Sequence, residues 1–170
     1  MSSSPKLLSL AALLVLTGCG FTPLYGGDAG QNASARLDQV AVSNIPERTG
    51  QMLRLSLQTQ LYRNGAPTTE LYALNVNYSI ATSNIGVQED SSTTYARFQA
   101  TAIWSLAPIG DPGHPLATGS ATGLNAMNII DEQYFQTDLE TDTINQQLAD
   151  TVAGQITTQI SAWFRAHPKA

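Results

Sequence analysis

The chain has 170 residues and a formal net charge of −5, with eight Lys and Arg against thirteen Asp and Glu; 42% of its residues are hydrophobic and only 12% charged. This length suits one ordinary domain, and the acidic balance has the wrong sign for a protein whose task is to grip nucleic-acid phosphates. A single cysteine closes no internal disulfide and assembles no Cys-rich metal site, so a stapled mini-protein and a zinc finger are both excluded.

The amino terminus places Lys6 before the apolar run Leu7 to Leu16 (LLSLAALLVL) and then Thr17-Gly18-Cys19. As a helix this run covers about 15 Å, half of a hydrocarbon core, so it reads as an export signal and not as a resting anchor. Leu16-Thr17-Gly18-Cys19 resembles the bacterial lipobox at all four positions. That resemblance implies cleavage after residue 18, an S-diacylglycerol on Cys19 and an acylated new amine, with no other cofactor. Each buried CH₂ contributes ~0.8 kcal/mol, so three chains hold a small domain on a membrane surface. Gly20 stands where an Asp would suggest inner-membrane retention, which points to the periplasmic side of the outer membrane. The expected organisation is a signal peptide over residues 1–18, a lipidated amino terminus and tether over 19–35, and a single domain over 36–170. Gly26 to Ser34 (GGDAGQNAS) supports the tether, being small, polar and without a face to bury.

Leu37 to Ile45, centred on Val40 and Val42, reads as a first strand. Pro46 ends it and suits the first turn of a helix, with Glu47 near the positive helix end. Leu53, Leu57 and Leu61 at four-residue spacing predict an amphipathic helix over 47–64, stopped by Asn64-Gly65 and Pro67. Tyr72 to Ile80 alternates strictly and predicts a half-buried strand, and Gly86 to Ser92, with Glu89-Asp90, a hairpin connection. From Tyr95 to Leu106 the alternation divides Ala96, Phe98, Ala100, Ala102, Trp104 and Leu106 from Tyr95, Arg97, Gln99, Thr101, Ile103 and Ser105. β-Branched residues and the period of two favour strand over helix there. After a Gly/Pro loop around residues 108–115, the small-residue stretch Leu116 to Ile130 reads as a fourth strand, closely approachable by another backbone or bulged.

Ile144, Leu148, Val152, Ile156, Ile160 and Phe164 predict a final helix over 137–166, with Thr137 and Glu140 in the form of a capping box. Its ~45 Å matches a strand of about 14 residues. The expected fold is therefore α+β, two helices packed on one face of a four-stranded sheet in the order β-α-β-β-β-α.

Catalytic constellations are wanting. His114 lies in the Gly/Pro loop and His167 near the end of the chain, and no nucleophile elbow, zinc-protease, P-loop or dinucleotide motif occurs. Asp138, Glu140 and Asp142 are spaced by two, which on a helix points them apart, so helix-end electrostatics explains them better than a metal. The expectation is a protein that is not an enzyme and holds no metal.

Directly after the lipobox, Cys19-Gly20-Phe21-Thr22-Pro23-Leu24-Tyr25-Gly26 resembles the start of the mature lipopolysaccharide-assembly lipoprotein family LptE in its alphaproteobacterial form. Ile45-Pro46-Glu47-Arg48-Thr49-Gly50-Gln51, Leu53 to Leu61, Tyr72-Ala73-Leu74-Asn75-Val76 and Leu148 to Phe164 extend the likeness in order, more in layout than in signature residues. The resemblance implies the same β-α-β-β-β-α sandwich, inserted as a plug into the outer-membrane β-barrel LptD. It also implies assistance to LptD assembly and contact with lipopolysaccharide during its delivery to the cell surface. Tyr95, Arg97, Gln99 and Thr101, polar and aromatic on one strand face, suit a wet barrel interior. Lipopolysaccharide is anionic and this chain is acidic, so binding would need local contacts, with Arg97 first and Arg36 or Arg63 as further candidates. The competing readings are a periplasmic-facing lipoprotein that binds a small lipid or scaffolds the envelope, and a lipid-anchored hydrolase.

Overall fold

The computed structural model describes residues 34–62, 65, 69–87, 93–128 and 134–168. The signal peptide, Cys19, most of the tether, Arg63 and the Glu89-Asp90 connection lie outside the described residues. A helical turn at residues 34–37 leads into strand β1 (Val40–Val42), helix α1 (Glu47–Leu61), strands β2 (Tyr72–Val87), β3 (Thr93–Pro108) and β4 (Ala117–Asn128), and helix α2 (Tyr134–Ala166). The sheet order is β1-β2-β3-β4, with β1 parallel to β2 and the other pairs antiparallel. Both helices cover one face, α1 over β1 and β2 and α2 over β3 and β4, so the expected α+β order and layering are found.

The periodic apolar residues are the core. Leu53, Leu57 and Leu61 of α1 and Leu148, Val152, Ile156 and Ile160 of α2 are almost wholly excluded from water, against Leu74, Trp104 and Leu106 of the sheet. Each fully buried side chain of this size contributes about 1.5–3 kcal/mol of transfer free energy, which drives two amphipathic helices onto a single sheet face.

Several boundaries differ from expectation, each for a local reason. β1 is three residues long, because Leu37 sits in the helical turn and the chain leaves the sheet at Ser43, whose N–H bonds Leu74 O. Pro46 is the N-cap of α1, not part of its first turn, and Glu47 enters the helix with φ of 68°, a left-handed conformation costing about 1–3 kcal/mol for a residue with a side chain. Gln51 holds this entry by donating to Ile45 O at 2.9 Å and Asn44 Oδ1 at 3.2 Å. Gly50 permits it, since a Cβ there would lie 2.7 Å from Ile45 Cγ2. β2 runs seven residues past Ile80 to Val87, because its ladder to β3 continues to Val87↔Thr93 although residues 81–85 are all exposed. α2 begins at Tyr134, so Thr137 lies inside the helix and is not its N-cap residue, and Asp138 and Glu140 fall beyond the first turn, which holds no acidic residue.

The small residues of β4 are explained by the helix above them. A Cβ on Gly119 would approach Trp104 Cζ2 to 2.6 Å, and one on Gly123 would approach Leu148 Cδ2 to 3.1 Å. The β3–β4 register runs unbroken from Tyr95↔Asn128 to Leu106↔Ala117, which removes the bulged alternative and leaves close backbone approach.

Candidate functional site: the uncovered face of the sheet

Alternation places every second residue of β2, β3 and β4 away from the helices. The registers set these side chains in rows across the sheet: Ile85, Tyr95 and Asn128; Ser83, Arg97 and Ala126; Ala81, Gln99 and Leu124; Ser79, Thr101 and Thr122; Asn77, Ile103 and Ser120; Asn75, Ser105 and Thr118. Tyr95, Arg97, Gln99 and Thr101 thus lie together on the open side, where the alternation had put them. Thr101 is half-buried and the other three are exposed.

Arg97 is the one charged residue in all four strands. Ser83 and Ala126 flank it in neighbouring strands, and among the described residues no carboxylate pairs with it. The rest of the face consists of amides, hydroxyls and a few apolar side chains. Ile103 and Leu124 are 63% and 68% exposed, two apolar contacts standing in a field of hydrogen-bonding groups. Near the β1 end, Ser43, Asn44, Asn75, Asn77, Ile103, Ser105 and Thr118 line an open depression of about 390 Å³. The residues expected from sequence, Tyr95 to Thr101, all lie on β3. The contributions of β2 and β4 were visible in the same period of two, but only the register shows which residues share a row.

The other cationic candidates differ. Arg36 donates to His167 O and to Tyr72 Oη, both at 2.8 Å, and its guanidinium lies 4.5 Å from the Phe164 ring centroid. Its charge ties the two ends of the domain together. Arg48 pairs with Asp142 at 2.7 Å, so that carboxylate serves a surface ion pair and not a first helical turn. His114 sits 2.9 Å from Asp111 in the loop after β3, and His167 stacks on Trp163 with centroids 4.7 Å apart. Among the described residues no three His, Cys, Asp or Glu side chains gather as a metal site requires, and no helix is long and apolar enough to cross a membrane.

Sequence reading missed a set of amide contacts from α2. Gln155 Oε1 accepts from Thr122 N–H at 3.1 Å while its Nε2 donates to Thr122 O at 2.9 Å. Gln159 Nε2 donates to Ser120 O at 2.9 Å and its Oε1 accepts from Trp104 Nε1 at 3.0 Å. Side chains four apart on one helix face thereby occupy outward-facing backbone groups of edge strand β4. Between the helices, Ser56 Oγ donates to Asp150 Oδ1 at 2.5 Å, and Gln146 Nε2 donates to both, at 3.1 and 3.0 Å.

No family model and no curated protein matches this sequence. Solved structures do match its fold. A Caulobacter crescentus CB15 protein described as a lipoprotein is 17% identical, with 81% of this chain and 98% of that one covered at a TM-score of 0.62. The minor lipoprotein of Acinetobacter baumannii is 19% identical over 73% of this chain and 91% of its own, at 0.59. Rare lipoprotein B of Shewanella oneidensis is 10% identical over 73% and 92%, at 0.55. The fold of this chain is therefore one that several bacterial lipoproteins share.

Proposed function

We propose that this chain is a non-enzymatic outer-membrane lipoprotein, held on the periplasmic side by lipid on Cys19. There it acts as plug and assembly partner of the β-barrel LptD in delivering lipopolysaccharide to the cell surface. The observation that carries this reading is the uncovered sheet face, three long strands wide with Arg97 as its lone charge. A face exposed only to bulk water has no reason to exclude charge, whereas one destined to be enclosed does, because an unpaired charge is expensive to desolvate. Its amides and hydroxyls can pair with the polar wall of a barrel interior, while Ile103 and Leu124 supply apolar contact. The lipoprotein fold of its structural neighbours and the Cys19–Gly26 motif support the same reading.

The alternative, a lipoprotein that carries a small lipid, calls for an enclosed apolar pocket. The depression beside Asn75 and Asn77 has Val76, Ile103 and Trp104 in its lining as well as asparagines and hydroxyls, but it is open to solvent and encloses nothing. Arg97, free of an ion-pair partner among the described residues, is the group best placed to meet a phosphate of lipopolysaccharide. Affinity purification of the native chain from detergent-solubilised outer membranes should recover LptD, and depletion should lower surface lipopolysaccharide. Recovery of the chain alone, with surface lipopolysaccharide unchanged, would overturn the assignment.

A further inference from the structure

The sheet has two edges, and among the described residues only one is closed. Edge strand β4 has outward backbone groups occupied by Gln155 and Gln159. On the other side β1 ends at Val42, pairing only with Tyr72 to Leu74 of β2. The last backbone bond there runs from Ser43 N–H to Leu74 O. This fixes the parity of the strand: the N–H and C=O groups of Leu74, Val76, Tyr78, Ile80, Thr82 and Asn84 point away from β3. From Val76 to Asn84, about 30 Å of strand, no described residue bonds these groups. Nor does this stretch carry any usual deterrent to strand addition, since it holds no charge and no proline and its register with β3 is free of bulges.

We infer that the open edge of β2, from Val76 to Asn84, is a strand-addition site for an extended, uncharged segment of the enclosing barrel protein, with apolar side chains at alternate positions. This rests on the barrel-plug reading. The alternation is set by the template: Val76, Tyr78 and Ile80 extend the apolar core face, while Asn77 and Ser79 present the polar face. A second copy of this chain is the poorer occupant, because pairing the two short edges would bury roughly several hundred Å², below the ~1,200 Å² from which specific stable interfaces begin. A segment of a partner already held through the sheet face adds without that requirement, as an intramolecular event.

The experiment places a photo-crosslinking amino acid at Thr82, or at Thr122 on the closed edge, in the full lipidated chain in living cells, and compares barrel recovery by the native chain with that by Thr82→Pro. Proline at 82 removes an outward N–H and leaves the β2–β3 ladder whole. Its thermal melt checks folding, and Asn84→Lys, which adds charge to the same edge, replaces it should it unfold. The expected result is a crosslink from Thr82 to an extended barrel segment, barrel recovery about tenfold lower for the edge variants, and slowed hydrogen exchange of the Tyr78, Ile80 and Thr82 amides in the complex. Undiminished barrel recovery by the edge variants, without a crosslink from Thr82, would overturn the edge site and leave the plug reading standing. Absence of any barrel from the native preparation would overturn both. A Thr82 crosslink between two copies would replace the proposed occupant with self-pairing.

Discussion

The two faces of this sheet are made from the same strands and obey opposite rules. The covered face is fixed by volume: Gly119 has no room for a Cβ beside Trp104, and the buried isoleucines of α2 leave no slack. The open face is fixed by what it omits, since amides, hydroxyls and isolated apolar side chains are allowed and every charge but Arg97 is absent. Tight packing specifies the fold, whereas nothing in the packing requires the open face to lack charge.

This contrast can be tested from both directions. Ile156→Ala, on the sheet-facing side of α2 and fully buried, should lower stability by about 2–5 kcal/mol in chemical denaturation. Gly119→Val should cost about 1–3 kcal/mol, because the new side chain must displace the Trp104 ring or Gln159. Tyr78→Phe should be neutral or stabilising by about 1 kcal/mol, since its hydroxyl is buried without a hydrogen-bond partner among the described residues. The same variant should change the alkaline limb. Burial pushes the Tyr78 phenol up to about 12, so its contribution is fully present below pH ~10 and is lost as pH rises through its folded value. A denaturation series from pH 9 to 12 should show a shallower decline for Tyr78→Phe. Leu124→Asp, on the open face, should move stability by less than ~0.5 kcal/mol yet sharply reduce recovery of the barrel partner. Equal loss of stability at Leu124 and Ile156 would erase the distinction between the faces.

Element order was legible because periodicity reports burial directly. The four-residue spacing of leucines and isoleucines in α1 and α2, and the two-residue alternation in β2 and β3, arise from the same core that the structure contains. Boundaries were less legible where burial stops while the conformation continues. β2 persists to Val87 through Thr82, Ser83 and Asn84, all exposed, held by its ladder to β3 and not by a side-chain pattern. The apparent capping box at Thr137 failed because a short polar motif near a helix start cannot reveal another turn preceding it. Arg97 and Arg36 look equivalent in sequence; the structure exposes Arg97 on the open face, and only the meeting of Tyr72, Phe164 and His167 shows that Arg36 is already engaged. The glutamines over β4 were illegible for a different reason: Gln155 and Gln159 resemble ordinary solvated helix residues until the edge beneath them is known.

The Arg36 contact carries a mechanical consequence. Whatever tension reaches residue 34 from the preceding polypeptide enters the domain beside a guanidinium latched to the backbone of His167 and to the Tyr72 phenol. Force is therefore divided between the first and last turns of the molecule instead of peeling β1 away alone. Clipping or tagging the carboxyl terminus near His167 should thus loosen Arg36 and the helical turn at residues 34–37 from the rest of the domain.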